Sequence, residues 1–132
     1  MTVEICVDSV ESAVAAQTGG ADRVEVCDNL MEGGTTPSFG AIGVARELLD
    51  IKLHVIIRPR GGDFLYSATE FEIMKRDIAA AKQLGVDGVV IGILDRDGNI
   101  DLNRTNELTE LARPMSVTFH RAFDVCRDPI KA

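Results

Sequence analysis

Short strand patterns alternate with helical patterns along the whole chain, and this alternation constrains the fold more than any other feature. Residues with the two-residue period of a β-strand occupy five segments: Thr2–Val7, Arg23–Cys27, Leu53–Arg58, Gly88–Ile91 and Met115–His120. Helical signals follow the first four strands: Val10–Thr18, Pro37–Leu49, Ala68–Leu84 and a segment from Asp101 to Ala112. Repeated strand–helix units are typical of parallel strands joined by helical crossovers. The sequence therefore predicts an α/β fold.

Capping residues mark where these helices begin. Ser9 is the expected N-cap of the first helix. Thr36 followed by Pro37 suits the N-cap and first position of the second helix. Ser67 and Glu70 have the spacing of a capping box, in which each side chain binds the backbone N–H of the other residue.

The polarity of the strands favours a barrel over an open doubly wound sheet. Four of the five strands keep polar residues on one face up to their carboxyl ends, whereas central strands of an open parallel sheet tend to be apolar on both faces. A complete (β/α)₈ barrel typically needs about 250 residues, and this chain has 132. We therefore expect the parallel β/α units of a TIM barrel, truncated after about five strands, in a single incomplete domain over residues 1–132.

Composition excludes several classes of partner. The formal net charge is −7, so nucleic acid and anionic membranes are not expected partners, because both require a basic surface. The longest apolar run, Val89–Leu94, is too short to span a bilayer. Met1 leads directly into a strand pattern without the basic start of a signal peptide. Three cysteines in such a chain are expected to be reduced thiols in the cytoplasm.

Two strands repeat one pattern, Val-Glu-Ile-Cys at residues 3–6 and Val-Glu-Val-Cys at residues 24–27. The valines and isoleucine of both copies are expected to pack under helices, because alternate strand residues share a face. The opposite face then carries a carboxylate and a thiol from each strand: Glu4, Cys6, Glu25 and Cys27. His54, Arg58, Ser116, Thr118 and His120 are in the same phase on later strands. Polar groups thus converge at the carboxyl ends of the strands, where barrels place their sites.

The two thiols could form a metal site. Cys6 and Cys27 lie on strands expected to be neighbours, spaced about 4.8 Å apart. Paired thiolates suit the soft Cu(I) ion, and His120 could add an imidazole ligand. Both cysteines could instead be small buried core residues, which is common.

The carboxylates have two readings as well. Glu4 and Glu25 could act as general acid and base if a shared buried site shifts their pKa values. Alternatively, they form structural ion pairs with Arg23, Arg58 or Arg60.

An arginine-rich loop leaves the third strand at the same end of the sheet. Arg58 and Arg60, with the flexible Gly61–Gly62 pair, suit the binding of a carboxylate or phosphate. Arg121, beside His120, would face them from the fifth strand. The alternative role of these arginines is to anchor loops through ion pairs.

Several long motifs resemble one known family. The stretches at residues 4–9, 19–25, 32–38, 57–64 and 118–124, in this order, closely resemble the CutC copper homeostasis proteins. The resemblance implies a TIM barrel, a cytosolic location and a link to copper tolerance. It also implies that Cys6 and Cys27 correspond to the cysteines proposed to bind Cu(I) in some members. Members of the family are about twice as long as this chain.

Two functional hypotheses follow. In the first, the chain is a copper homeostasis protein that binds Cu(I) in the cytosol through Cys6 and Cys27. In the second, it is a TIM-barrel enzyme acting on a small anionic metabolite, a carboxylate or phosphate. The residues that would handle protons or hold the anion in that enzyme are Glu4, Glu25, His120, Arg58, Arg60 and Arg121. A third possibility is that this half-chain has no activity of its own. Five strands would leave two sheet edges exposed, so a homo-oligomer is expected.

Overall fold

The computed structural model describes residues 1–132 and contains five strands and four α-helices. The strands are β1 (Glu4–Val7), β2 (Arg23–Val26), β3 (Lys52–Ile56), β4 (Gly88–Ile91) and β5 (Ser116–Phe119). The helices are α1 (Val10–Thr18), α2 (Phe39–Leu48), α3 (Ala68–Gln83) and α4 (Leu102–Ala112). Two short 3₁₀ turns span Leu30–Glu32 and Arg121–Val125, and the second follows β5.

All five strands form one parallel sheet in the order β1-β2-β3-β4-β5. A doubly wound sheet reverses its strand order partway across, whereas this sheet adds each new strand on the same side of the previous one. Sequential parallel strands with helical crossovers are the arrangement of a (β/α)₈ barrel. The α/β prediction and the prediction of partial TIM-barrel units are therefore confirmed.

Local capping explains where most helices begin. The Ser9 side chain accepts a hydrogen bond from the backbone N–H of Ser12, and the predicted capping box between Ser67 and Glu70 is complete. Asp101 caps α4 through the backbone N–H of Arg104. These side chains satisfy N–H groups that have no partner within the helix.

The start of α2 differs from the prediction. Ser38, not Thr36, is the N-cap, and its hydroxyl accepts from the backbone N–H of Ala41. Thr36 is used elsewhere, because its backbone N–H donates to the carbonyl of Arg58 and its hydroxyl accepts from the N–H of Arg58. A tertiary bond to the end of β3 therefore overrides the capping preference of Thr36.

The core lies between the sheet and its helices, in a cluster of 21 buried residues. Val24 and Val26 on β2 belong to it, as expected. Val3 and Ile5 face the groove beside α1 as expected, but each is 41 % exposed, so the helix covers them only in part. The reason is that β1 is an edge strand. No further strand lies beyond it to cover the rest of its apolar face.

None of the four helices combines the length and the apolar character needed to cross a lipid bilayer.

Candidate functional site

The strand register places one row of residues side by side across the sheet. Cys6 pairs with Glu25, and Glu25 pairs with His54. His54 then pairs with Gly88, and Gly88 with Ser116. Because paired residues in a sheet point to the same face, this row forms part of the face opposite the helices. The polar residues that the sequence placed in one phase do share one face.

The two thiols of this face are in direct contact. The Sγ atoms of Cys6 and Cys27 are 3.6 Å apart. Cys27 is only 2 % exposed, and its thiol donates to the carbonyl of Val7. Burial raises the pKa of Cys6, and burial together with the charge of Cys6 raises the pKa of Cys27 to about 12. Both groups are protonated thiols at neutral pH, so a metal ion must displace their protons to bind.

His120 does not join the thiols. The structure contains no group of three or more His, Cys, Asp or Glu side chains close enough to share a metal ion. His120 packs against Phe64 at a ring-centroid distance of 5.1 Å, and its Nδ1 accepts from the backbone N–H of Ala122. The expected third ligand is therefore held elsewhere, at the end of β5.

The two carboxylates have different surroundings. Glu4 forms an ion pair with Arg23, which matches the structural alternative for this residue. Glu25 forms no ion pair, and burial, with a contribution from the negative charge of Glu4, raises its pKa. The structural ion-pair alternative therefore holds for Glu4 and not for Glu25.

The three arginines predicted to hold an anion also differ in their surroundings. Arg58 is only 4 % exposed, and it donates from Nη1 to the carbonyls of Glu32 (2.6 Å) and Gly34 (2.9 Å). A further bond joins its Nη2 to the carbonyl of Gly62 at 2.8 Å, so Arg58 fastens two loops to the end of β3.

Arg60 is bonded within its own loop, where it donates to the carbonyls of Gly61, Asp63 and Leu65. It forms ion pairs with Asp63 and with Glu70 at the start of α3, which is the loop-anchoring role. Arg121, by contrast, is exposed and forms no ion pair. Its guanidinium remains available for a ligand.

A cavity of about 270 Å³ lies at the carboxyl ends of the strands. It is lined by Glu25, Gly33, Ile56, Arg58, Phe64, Val90, Thr118, His120 and Arg121. Four of the predicted site residues therefore meet around one space, namely Glu25, Arg58, His120 and Arg121. Glu4, Arg60 and both cysteines lie outside its lining.

His120 enters this cavity as a neutral side chain. Because its Nδ1 accepts a hydrogen bond from Ala122, the proton of the neutral ring is on Nε2. Burial, with the positive charges of Arg58 and Arg121, lowers the pKa of His120 to about 4. The Nε2 atom is buried and has no hydrogen-bond partner. At neutral pH, His120 can donate a hydrogen bond from Nε2 but is a weak base.

The sequence analysis did not predict a role for two glycines, Gly88 in β4 and Gly92 directly after it. A Cβ atom at Gly88 would lie 2.5 Å from Nε2 of His54, and one at Gly92 would overlap the ring of His120. The absence of these side chains creates room for both imidazoles. The signal was present in the sequence, since Gly88 and Gly92 are in the inward phase of a strand flanked by two histidine-bearing strands.

Comparison with known proteins is consistent across sequence and structure. The sequence profile of the CutC family matches residues 1–132. A family protein CutC of Chromobacterium violaceum is 61 % identical over 130 residues, covering 98 % of this chain and 53 % of that protein. The human copper homeostasis protein cutC homolog is 56 % identical over 130 residues, covering 98 % of this chain and 48 % of that protein.

The fold agrees with a crystal structure of the putative copper homeostasis protein CutC from Streptococcus agalactiae. The TM-score is 0.89 at 39 % identity, over 96 % of this chain and 62 % of that chain. The chain spans about half the length of the curated relatives described above. A profile match over every residue, relatives above half identity and a shared fold lead to one conclusion: the chain belongs to the CutC family.

Proposed function

We propose that this chain is a copper homeostasis protein and binds Cu(I) between Cys6 and Cys27. The observation that carries the proposal is the 3.6 Å separation of the two Sγ atoms. Thiolates are the ligands that Cu(I) prefers. The names of the human and Streptococcus agalactiae relatives refer to copper homeostasis, which supports the same metal.

The geometry implies a small adjustment on loading. With metal–sulfur bonds of about 2.3 Å, the length of a Zn–S bond, a linear two-coordinate ion needs the sulfurs about 4.6 Å apart. The present separation is 3.6 Å, so the thiols would have to move apart by about 1 Å. Cys6 can make this movement because it is exposed on the edge strand β1.

The proposal places the protein in a reducing compartment such as the cytoplasm. All three cysteines are free thiols, and thiols 3.6 Å apart persist in the reduced form where glutathione and thioredoxin are active. Oxidation to a disulfide would consume both ligands.

An anaerobic Cu(I) titration against a chromophoric chelator tests this function. The test variant is Cys6→Ser with Cys27→Ser, and the matched control is Cys126→Ser, which removes the remaining cysteine away from the pair. We expect one Cu(I) per chain in the wild type and in Cys126→Ser, and none in the double variant. Equal binding by all three proteins, each verified as folded by circular dichroism, would refute the thiol site.

A second candidate function is catalysis on a small anionic metabolite. The specific observation is the cavity in which Glu25, Arg58, His120 and Arg121 converge, because a carboxyl with a raised pKa beside cationic groups suits proton transfer on a bound anion. Glu4 and Arg60 are tied into ion pairs outside this cavity, so the candidate retains four of the six residues predicted for it.

Thermal-shift screening of carboxylated and phosphorylated metabolites tests the second candidate. A ligand that stabilises both the wild type and the double serine variant would support an anion site independent of the thiols. Turnover of that ligand, lost in Glu25→Gln, would then establish an enzyme. Failure of every anionic metabolite to stabilise the wild type would remove this candidate and leave the copper proposal unaffected.

A further inference from the structure

Two buried hydrogen-bond donors at the cavity have no partner. Arg58 has five N–H donors, and three of them are used by the carbonyls of Glu32, Gly34 and Gly62. Its Nε atom is buried and unpaired, and so is Nε2 of His120. Buried donors in folded proteins are nearly always paired. The hydroxyl of Tyr66, outside the cavity lining, is also buried and unpaired and interacts with Arg58. The unpaired donor that points to an acceptor bound in the cavity is therefore Nε2 of His120.

Positive charge converges on the same space. Gly33 lies between two guanidinium groups, and a Cβ atom placed on it would be 3.3 Å from Nη1 of Arg58 and 3.3 Å from Nη1 of Arg121. The two arginines come from the ends of β3 and β5, so their approach is produced by the fold and not by sequence proximity. In a chain of net charge −7, two guanidinium groups on one cavity with a single lining carboxyl, Glu25, mark a local site for anions.

The remaining walls limit the size of the ligand. Ile56, Phe64 and Val90 supply an apolar side, and the guanidinium of Arg58 lies 5.1 Å from the ring centroid of Phe64. A volume of about 270 Å³ is slightly below the range of ordinary ligand pockets, which begins at about 300 Å³. The space therefore fits a compact molecule with one charged end and a short apolar part.

We propose that this cavity binds the carboxylate or phosphate group of a small ligand through Arg121 and the positive charge of Arg58, while the Nε2–H of His120 donates to a further ligand oxygen. This inference rests on the second candidate function and defines its binding mode. His120 is then a hydrogen-bond donor that orients the ligand.

The assignment changes the role of His120. A histidine that moves protons must accept one on the nitrogen facing the ligand, and that nitrogen already carries the proton in His120 because Nδ1 is occupied by the N–H of Ala122. A neutral Nε2–H can polarise a ligand oxygen without adding a third positive charge to the cavity.

Titration of the ¹⁵N-labelled 132-residue chain, followed by NMR, tests the proposal. Inorganic phosphate and acetate are added in separate experiments at constant ionic strength, so the two anion chemistries are distinguished. The test variant is Arg121→Gln, and the control is Arg127→Gln, which removes the same charge from an exposed position outside the cavity. We expect at least one anion to shift the amides of residues 33–34 and 120–122 in the wild type and in Arg127→Gln. Arg121→Gln should weaken binding about tenfold or more, the effect of losing one charge-assisted hydrogen bond.

The role of His120 is tested by a pair of variants. His120→Gln retains an N–H donor and is expected to keep most of the affinity, whereas His120→Leu removes the donor and is expected to lose it. Equal affinity in both variants would overturn the assignment of His120. Absence of saturable shifts with either anion, or equal weakening in Arg121→Gln and Arg127→Gln, would overturn the site.

The test of this anion site can be distinguished from the tests of both proposed functions. The double serine variant of Cys6 and Cys27 is expected to bind the anion like the wild type, because neither cysteine lines the cavity. Saturable binding of phosphate or acetate would establish this binding site even if no stabilising metabolite is turned over, in which case only the enzyme would be refuted.

Discussion

Arg58 and Arg60 both follow β3 and are two residues apart, but their surroundings in the fold differ. The sequence indicated that both could hold an anion or anchor loops. Arg58 is buried and donates to carbonyls of two different loops. Arg60 is half-exposed, donates to three carbonyls of its own loop and pairs with two carboxylates. Nothing local distinguishes them, because burial of Arg58 depends on loops that begin at residues 28 and 59. Long-range contacts of this kind cannot be predicted from strand phase.

The different surroundings predict different costs of substitution. Arg58→Met leaves three carbonyls without their charged donor, and an unpaired buried polar group costs about 1–3 kcal/mol. We expect a loss of about 3 kcal/mol or more in the free energy of unfolding. Arg60→Met is the matched control, because it also removes three carbonyl bonds, two of them exposed to water. It should cost less than Arg58→Met, since water can replace the donor at those carbonyls and the ion pairs are solvent-screened. Urea unfolding followed by circular dichroism measures both. Equal losses would show that Arg58 does not fasten the loops.

The neutral state of His120 predicts an acid-dependent loss of stability. Its pKa falls to about 4 in the folded chain, against about 6.5 when unfolded. Below pH 6.5 the unfolded chain takes up a proton that the folded chain refuses, so stability decreases as the pH falls from 6.5 to 4. For a pKa difference of about 2.5 units, the free energy of unfolding should decrease by at most about 3 kcal/mol.

A comparison with His120→Gln isolates this effect. His54, whose pKa is also lowered, is present in both proteins and cancels. Between pH 7.5, 6.0 and 5.0, the urea midpoint of the wild type should fall more than that of the variant. Parallel changes in the two proteins would contradict a lowered pKa of His120.

At the scale of elements, the sequence predicted those helix and strand boundaries that neighbouring residues determine. Val10–Thr18 and Gly88–Ile91 have the predicted bounds, and α3 begins at the predicted capping box, because caps and hydrophobic period act within one turn. The predicted N-cap of α2 was wrong because Thr36 bonds to Arg58, 22 residues away. The same limit applies to the site: strand phase predicted a shared face, but the cavity depends on stagger between strands.

The close contact between β3 and β4 depends on the missing side chain of Gly88. A Cβ there would lie 2.5 Å from His54, which is itself buried, so Gly88→Ala should cost about 1–3 kcal/mol through overpacking. Gly43→Ala is the control, because its Cβ would meet only Leu84 at 3.7 Å in the helix α2. That substitution should be neutral or stabilise by up to about 1 kcal/mol.

A double variant identifies the cause of the cost. If the imidazole of His54 is the obstacle, Gly88→Ala should cost less in a His54→Ala background, and the coupling should exceed about 0.5 kcal/mol. Additive effects in the double-mutant cycle would mean that His54 and Gly88 do not share this space.

At the scale of the whole molecule, the sheet has two edges and an open face. β1 and β5 each lack a neighbour on one side, and Val3 and Ile5 expose apolar surface beside the β1 edge. Cys6, Ser116 and Thr118 on the face opposite the helices are exposed as well. Unpaired edges with apolar flanks favour pairing with another chain. The edge of β5 in one copy can receive β1 of a second copy with all strands still parallel.

We therefore expect the 132-residue chain to self-associate, as the five-strand pattern suggested. Sedimentation equilibrium at several concentrations should give an average mass above that of one chain, rising with concentration. Ile5→Lys places a charge on the β1 edge and should shift the equilibrium toward the monomer by about tenfold or more, the effect of about 1.4 kcal/mol. Leu48→Lys, an exposed position of α2 bordering the groove between α1 and α2, is the matched control and should leave association unchanged. A monomer at every concentration would refute association, and dissociation by Leu48→Lys alone would move the interface from the strand edge to the helical groove.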